Sequence, residues 1–80
     1  MYTLRESNGP HRVVGYANGT RYDQSDGSFW VIGWSANTQL AVSLGGFYLL
    51  EFPHRHTNIV RVVQIGGSGR EAGIRFEFMR

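Results

Sequence analysis

Apolar and polar residues alternate along much of this sequence, and small turn-forming residues interrupt the alternation. In residues 74–79, the apolar side chains alternate with Arg75 and Glu77. This period of two is typical of a β-strand that has one face in a core and the other in water. Residues 59–65 are rich in β-branched side chains, which strands favour. Residues 29–34 are apolar on both faces, which is typical of a strand inside a sheet.

Two Asn-Gly pairs predict tight turns between strands. Asn8-Gly9 separates residues 2–7 from residues 11–17, and Asn18-Gly19 separates residues 11–17 from residues 20–23. Asn-Gly accepts the positive φ values of a two-residue hairpin turn. We therefore expect residues 11–17 to pair with the strands on both sides of it in the sequence.

Residues 37–44 have two interpretations. The alternation in residues 39–44 predicts a strand that pairs with residues 47–52 around a turn at Gly45-Gly46. The other interpretation is a short helix that begins after Asn37 as its N-terminal cap and ends before the glycine pair. The sequence leaves both open.

Seven or eight short strands in 80 residues predict an all-β fold. We expect one domain, residues 1–80, built as an antiparallel meander. The meander is predicted to close into a small barrel or to pack as a half-open sandwich, with a short helix near residues 37–44 as the one alternative element. The large side chains expected in its core are Trp30, Trp34, Phe47, Phe76 and Phe78.

The residue types present exclude several kinds of catalysis. The sequence has no Cys, and its eight cationic residues are all Arg, so Cys and Lys nucleophiles are impossible. The stretch 66–73 contains the glycine pattern of a dinucleotide site, but the seven residues that follow it alternate as a strand. Such a site needs a helix at that place. We predict a hairpin loop there, no enzymatic activity and no cofactor.

Two polar segments have metal-like spacing. His54 and His56 could bind zinc or copper only with a third ligand, which the sequence does not place nearby. The segment 23–28 has two Asp residues but lacks the Glu of a calcium loop. We predict no metal site, and we interpret residues 53–58 as a polar loop or a basic contact surface, because imidazoles gain charge near neutral pH.

The charge is concentrated in the C-terminal third, where residues 53–80 hold five Arg against two Glu. Arg and Tyr are favoured at binding hot spots. We therefore predict a binding protein whose partner is another protein, and the alternative is a small basic β-barrel that binds single-stranded nucleic acid by stacking. The predicted contact residues are Arg55, Arg61, Arg70, Arg75, Tyr22 and Tyr48.

In its size, stand-alone character and lack of Cys, the chain resembles the small proteins of phages and mobile elements, among them anti-CRISPR proteins. The resemblance implies a stoichiometric inhibitor that docks on a host defence complex, which is a nucleoprotein. No segment has the length of apolar sequence that a membrane helix needs, and the first residues lack a signal peptide's pattern, so we expect a cytoplasmic protein without membrane contact. A homodimer is plausible because meander edges are exposed.

Overall fold

Seven antiparallel strands form one sheet, and a short helix packs across one end of it. The computed structural model describes residues 1–79, and Arg80 lies outside that range. The all-β prediction is confirmed, with the helix as the alternative element. The elements are β1 (Tyr2–Glu6), β2 (Val13–Ala17), β3 (Arg21–Asp23), β4 (Phe29–Ile32), α1 (Ala36–Ala41), β5 (Phe47–Glu51), β6 (Thr57–Gly66), a 3-10 turn (Gly69–Glu71) and β7 (Gly73–Phe78).

The strands are ordered β2-β1-β5-β6-β7-β4-β3, and every neighbouring pair is antiparallel. The edge strands β2 and β3 are not paired with each other, so the sheet is a half-open sandwich and not a closed barrel. The described chain nevertheless measures 30 × 28 × 25 Å, which requires the sheet to curl over its own apolar face. Residues 18–20 carry the chain from one edge of the sheet to the other.

The prediction of a hairpin at Asn18-Gly19 is wrong, whereas the turn at Asn8-Gly9 does join the paired strands β1 and β2. A side chain on Gly19 would collide with the backbone carbonyl of Ile32. The Ile32 N–H, in turn, donates to the Thr20 carbonyl at 3.1 Å. Gly19 is therefore needed for close approach of two backbones and not for a turn.

The strand predicted for residues 39–44 is also wrong, because α1 lies there. The N-terminal cap is Ser35, whose Oγ accepts from the Thr38 N–H at 3.1 Å, so the cap is not Asn37. Leu40, which the strand prediction would place on an apolar face, is 84% exposed. Gly45-Gly46 does not form the predicted hairpin turn. The Gly45 N–H donates to the Val62 carbonyl at 2.7 Å, so this part of the chain runs beside β6.

The core lies on the concave face of the curled sheet, and the alternation of the sequence places its residues there. Trp34 packs against Phe76 and donates its indole N–H to the Val31 carbonyl at 2.8 Å, which satisfies its polar atom. Burial of these apolar side chains is the main stabilising term. The largest fully buried side chains are Trp34, Phe29, Phe76, Leu4, Leu50, Ile74, Val31, Val60 and Val62.

The helix α1 links the edge strand β2 to the loop between β6 and β7. Thr38 lies against Gly15 of β2. The amide of Gln39 donates to the carbonyls of Gly66, Gly67 and Gly73 at 3.1, 3.3 and 3.1 Å. Among residues 1–79, no helix has the length and hydropathy needed to cross a membrane.

Candidate binding surfaces

The convex face of the sheet carries charges that neutralise one another. Leu4 and Leu50 are buried on the concave face, so their neighbours Arg5 and Glu51 lie on the convex face, where the ions are 3.4 Å apart. On β6 and β7, Arg61 lies opposite Glu77 at 3.2 Å. Partly exposed pairs of this kind contribute little to stability. Their main consequence is that this face has little net charge.

An apolar patch lies between these ion pairs, and we call it the outer patch: Phe47, Leu49, Ile59 and Met79. Phe47, Ile59 and Met79 are 48%, 51% and 43% exposed. Leu49 lies directly opposite Ile59, and the Met79 N–H donates to the Ile59 carbonyl at 3.1 Å. The prediction of Phe47 as a core residue is therefore wrong, because β5 turns it to the convex face.

A row of planar side chains crosses four strands at another part of the convex face. Tyr22 on β3 lies opposite Trp30 on β4, Trp30 lies opposite Arg75 on β7, and Arg75 lies opposite Gln64 on β6. A Cβ atom on Gly73 would lie 2.9 Å from the Trp30 indole. Trp30 is thus partly buried over the glycine backbone of β7 and not in the core as predicted.

The guanidinium of Arg75 is held by three partners. Its Nε donates to Ser28 Oγ at 2.8 Å, its Nη1 to Gln64 Oε1 at 3.2 Å and its Nη2 to Asp26 Oδ2 at 3.0 Å. Ser28 donates both its hydroxyl and its N–H to Asp26 Oδ1, at 2.6 and 2.9 Å. The hydrogen bonds from Ser28, with a smaller contribution from Arg75, lower the pKa of Asp26 below its ordinary 3.8.

At one end of the sandwich, the cation of Arg21 covers three phenylalanine rings. Its Cζ lies 4.6 Å from the centre of Phe29, 5.5 Å from that of Phe52 and 5.8 Å from that of Phe78. Asp23 accepts from Arg21 Nε at 2.9 Å. The arrangement is a cation–π contact on the exposed rim of the core.

The turn between β5 and β6 lies at the same end and presents two imidazoles and a guanidinium to solvent. His56 lies 5.5 Å from the Phe52 ring and 6.5 Å from the His54 ring, measured between centroids. Arg55 between them has φ +70°, a left-handed conformation. Across residues 1–79, no group of three His, Asp or Glu side chains is close enough together to hold a metal ion.

The structure separates several of the predicted contact residues. Arg55 precedes β6 and Arg70 follows it, and a strand of this length spans about 30 Å. Arg61 lies on the convex face with Glu77. Tyr48 is directed to the concave side, and its hydroxyl accepts from the Ser43 N–H at 2.9 Å.

Tyr22 and Arg75 are brought together, with Trp30 between them. The residues that the sequence interpretation missed are Arg21 and the outer patch. The sequence gives no sign of the outer patch, because a strand that is apolar on both faces does not show which of its faces is exposed.

No protein-family model matches this chain, and no curated protein or solved structure is significantly similar to it. The surfaces are therefore interpreted from their own geometry and chemistry.

Proposed function

We propose that the protein is a non-enzymatic binding protein that docks on another protein through the outer patch. The observation that supports this is the exposure of Phe47, Ile59 and Met79 next to one another on the convex face. Contiguous apolar surface with a polar rim is typical of interaction sites.

The surroundings of the outer patch favour a protein as its partner. Protein interfaces have an apolar centre that is poor in net charge and a polar rim. Here Arg61 and Glu77 form one side of the rim, and Arg5 and Glu51 form another. A partner with an apolar centre and charges of both signs complements this face.

The resemblance to phage and mobile-element proteins suggests which kind of protein is bound. We propose a stoichiometric inhibitor of the anti-CRISPR type, which docks on a host defence nucleoprotein complex and blocks nucleic-acid access or subunit assembly. In this role the patch covers a functional surface of the complex, and no catalytic group is needed.

Single-stranded nucleic acid is a second candidate, and the row Tyr22–Trp30–Arg75 supports it. Aromatic side chains on a sheet can stack with bases. However, Arg75 is already paired with Asp26 at 3.0 Å, so the row offers little free positive charge to phosphates. The protein partner is therefore the function that the geometry favours.

The test begins by identifying a partner. Proteins that co-purify with the chain from bacterial cells that carry a CRISPR system are identified by mass spectrometry and then purified. Their affinity is measured by calorimetry for the wild type and for the double variant Phe47→Ser, Ile59→Ser. We expect the double variant to bind at least tenfold more weakly, because its apolar centre is lost.

Leu40→Ser is the matched control, since Leu40 is an exposed apolar residue on α1, whose Gln39 binds the Gly66 end of β6 rather than the outer patch. It should bind within twofold of the wild type. Equal weakening by Leu40→Ser, or wild-type binding by the double variant, would contradict the proposal. So would a homodimer that the double variant abolishes, and so would tight oligonucleotide binding that falls steeply with salt. Inhibition of a purified RNA-guided nuclease should be complete at a one-to-one molar ratio of protein to nuclease.

A further inference from the structure

The turn between β5 and β6 has a role that the outer patch does not explain. We propose that His54, Arg55 and His56, together with Arg21, form a site that binds a carboxylate-rich peptide segment. We call these four residues the turn-end cluster. The site is independent of the outer patch, because none of its residues belongs to that patch.

The first support for the proposal is an imbalance of charge. His54, Arg55 and His56 are exposed, and in the part of the chain that the structure describes no carboxylate lies within ion-pair distance of them. Asp23 lies 2.8 Å from Arg21 and balances its charge, so the uncompensated positive charge of the cluster is that of Arg55. This end of the sandwich therefore has a net positive charge, in contrast to the balanced convex face.

The second support is the ordering of the cationic groups. Arg21 and His56 both pack against the ring of Phe52. The turn itself is closed by two backbone bonds, from the Phe52 N–H to the His56 carbonyl at 2.8 Å and from the Arg55 N–H to the Phe52 carbonyl at 3.0 Å. Groups that are already positioned lose less conformational entropy when a ligand binds.

The third support is the identity of residue 55. A hairpin turn of this kind places one residue in the left-handed region, and glycine is favoured there. Arg55 occupies that position with φ +70°, at a cost in folding free energy. Backbone strain of this kind is found at functional sites. Arg55 thus supplies a long cationic side chain at a position where glycine would cost less folding free energy.

The chemistry of these groups favours carboxylates on a peptide. A guanidinium binds a carboxylate through two parallel hydrogen bonds. Nucleic acid needs positive charge along an extended track. The cluster instead occupies one turn, and the ion pairs Arg61–Glu77 and Arg5–Glu51 interrupt any track across the convex face.

Two carboxylates, Asp23 on β3 and Glu51 on β5, lie on strands that lead to this end of the sandwich. The two carboxylates are paired with Arg21 and Arg5.

The probe is a hexaglutamate peptide, titrated into the ¹⁵N-labelled protein and followed by NMR, with hexaserine as the neutral peptide. We expect shifts confined to residues 52–57 and to the Arg21 side chain.

Arg55→Gly separates the contact role from a structural one. Glycine relieves the strain, so this variant should melt at a higher temperature than the wild type while binding hexaglutamate at least fivefold more weakly. Arg70→Ala, which removes the same charge at the far end of β6, should bind as the wild type does.

Three results would overturn the proposal. The first is unchanged peptide affinity in Arg55→Gly, and the second is equal weakening by Arg70→Ala. The third is tighter binding of hexathymidylate than of hexaglutamate, which would assign the cluster to nucleic acid. None of these measurements uses the partner of the outer patch, so failure of one proposal leaves the other to its own test.

Discussion

Thr38 of α1 fills the space beside Gly15 of β2 in which a larger side chain would lie. Thr38 is itself buried, and its Oγ1 lies 3.0 Å from Ser35 Oγ. The helix can therefore lie against the edge strand only because residue 15 has no side chain.

Replacing Gly15 with Ala should lower the free energy of unfolding by about 1–3 kcal/mol, because the added methyl overpacks the contact between α1 and β2. Urea denaturation followed by circular dichroism measures the change. Gly66→Ala is the control, since its Cβ would meet Trp30 at an ordinary 3.6 Å. A loss as large in Gly66→Ala, or none in Gly15→Ala, would contradict this account of the helix contact.

Gln39→Ala should destabilise the protein by about 1–2 kcal/mol, because the carbonyls of Gly66 and Gly73 lose their shared donor from α1. The same denaturation experiment measures it. Gln24→Ala removes an exposed amide with one long bond, to the Tyr22 carbonyl at 3.4 Å, and should change stability by less than about 0.5 kcal/mol. Equal effects in the two variants would show that the hydrogen bonds of Gln39 do not stabilise the protein more than an exposed amide does.

Trp34→Phe should cost about 2–4 kcal/mol, because it removes the indole N–H that donates to the Val31 carbonyl and leaves unfilled space in the core. Thermal unfolding by calorimetry checks this. Trp30→Phe, on the convex face, should cost less, since Trp30 is only partly buried. A larger loss of stability in Trp30→Phe than in Trp34→Phe would contradict the placement of Trp34 as the main core tryptophan.

The lowered pKa of Asp26 predicts a stability change in acid. The ionised carboxylate is favoured in the folded state, so its contribution is present above about pH 4, where the unfolded group is also ionised, and it is lost as the pH falls through the lowered folded pKa. The stability difference between the wild type and Asp26→Asn should therefore shrink in acid.

Ser28→Ala tests the cause of that shift. It removes the hydroxyl that donates to Asp26 Oδ1, so the pKa of Asp26, measured by NMR titration of its carboxyl carbon, should rise toward the ordinary value. An unchanged pKa in Ser28→Ala would assign the shift to another contact.

The strands were predictable where local and tertiary preferences agree. The alternation in β7 marks the concave and convex sides of that strand correctly, because each strand has one face in the core. Residues 39–44 alternate as well, but the serine cap at Ser35 and the lack of a strand to pair with favour a helix there. An alternating pattern of only six residues cannot distinguish a strand from a short helix.

The binding surfaces were harder to predict. Arg55 and Arg75 were selected by residue type, and their roles in contact stay predictions. Phe47 and Ile59 were not separable from core residues, because their exposure depends on which face of β5 and β6 is covered. Arg21 gains its place only through Phe29, Phe52 and Phe78, which three different parts of the chain supply.

The sequence by itself determined the type of fold, the position of seven strands and the absence of Cys and Lys chemistry, since these follow from side-chain periodicity and residue type. Only the tertiary structure decided that β2 and β3 are opposite edges, that α1 replaces a strand, and that Phe47 and Ile59 face outward. The physical reason is that periodicity sets which residues share a face. Strand pairing and the curl of the sheet, which depend on residues far apart in the chain, set which face is buried.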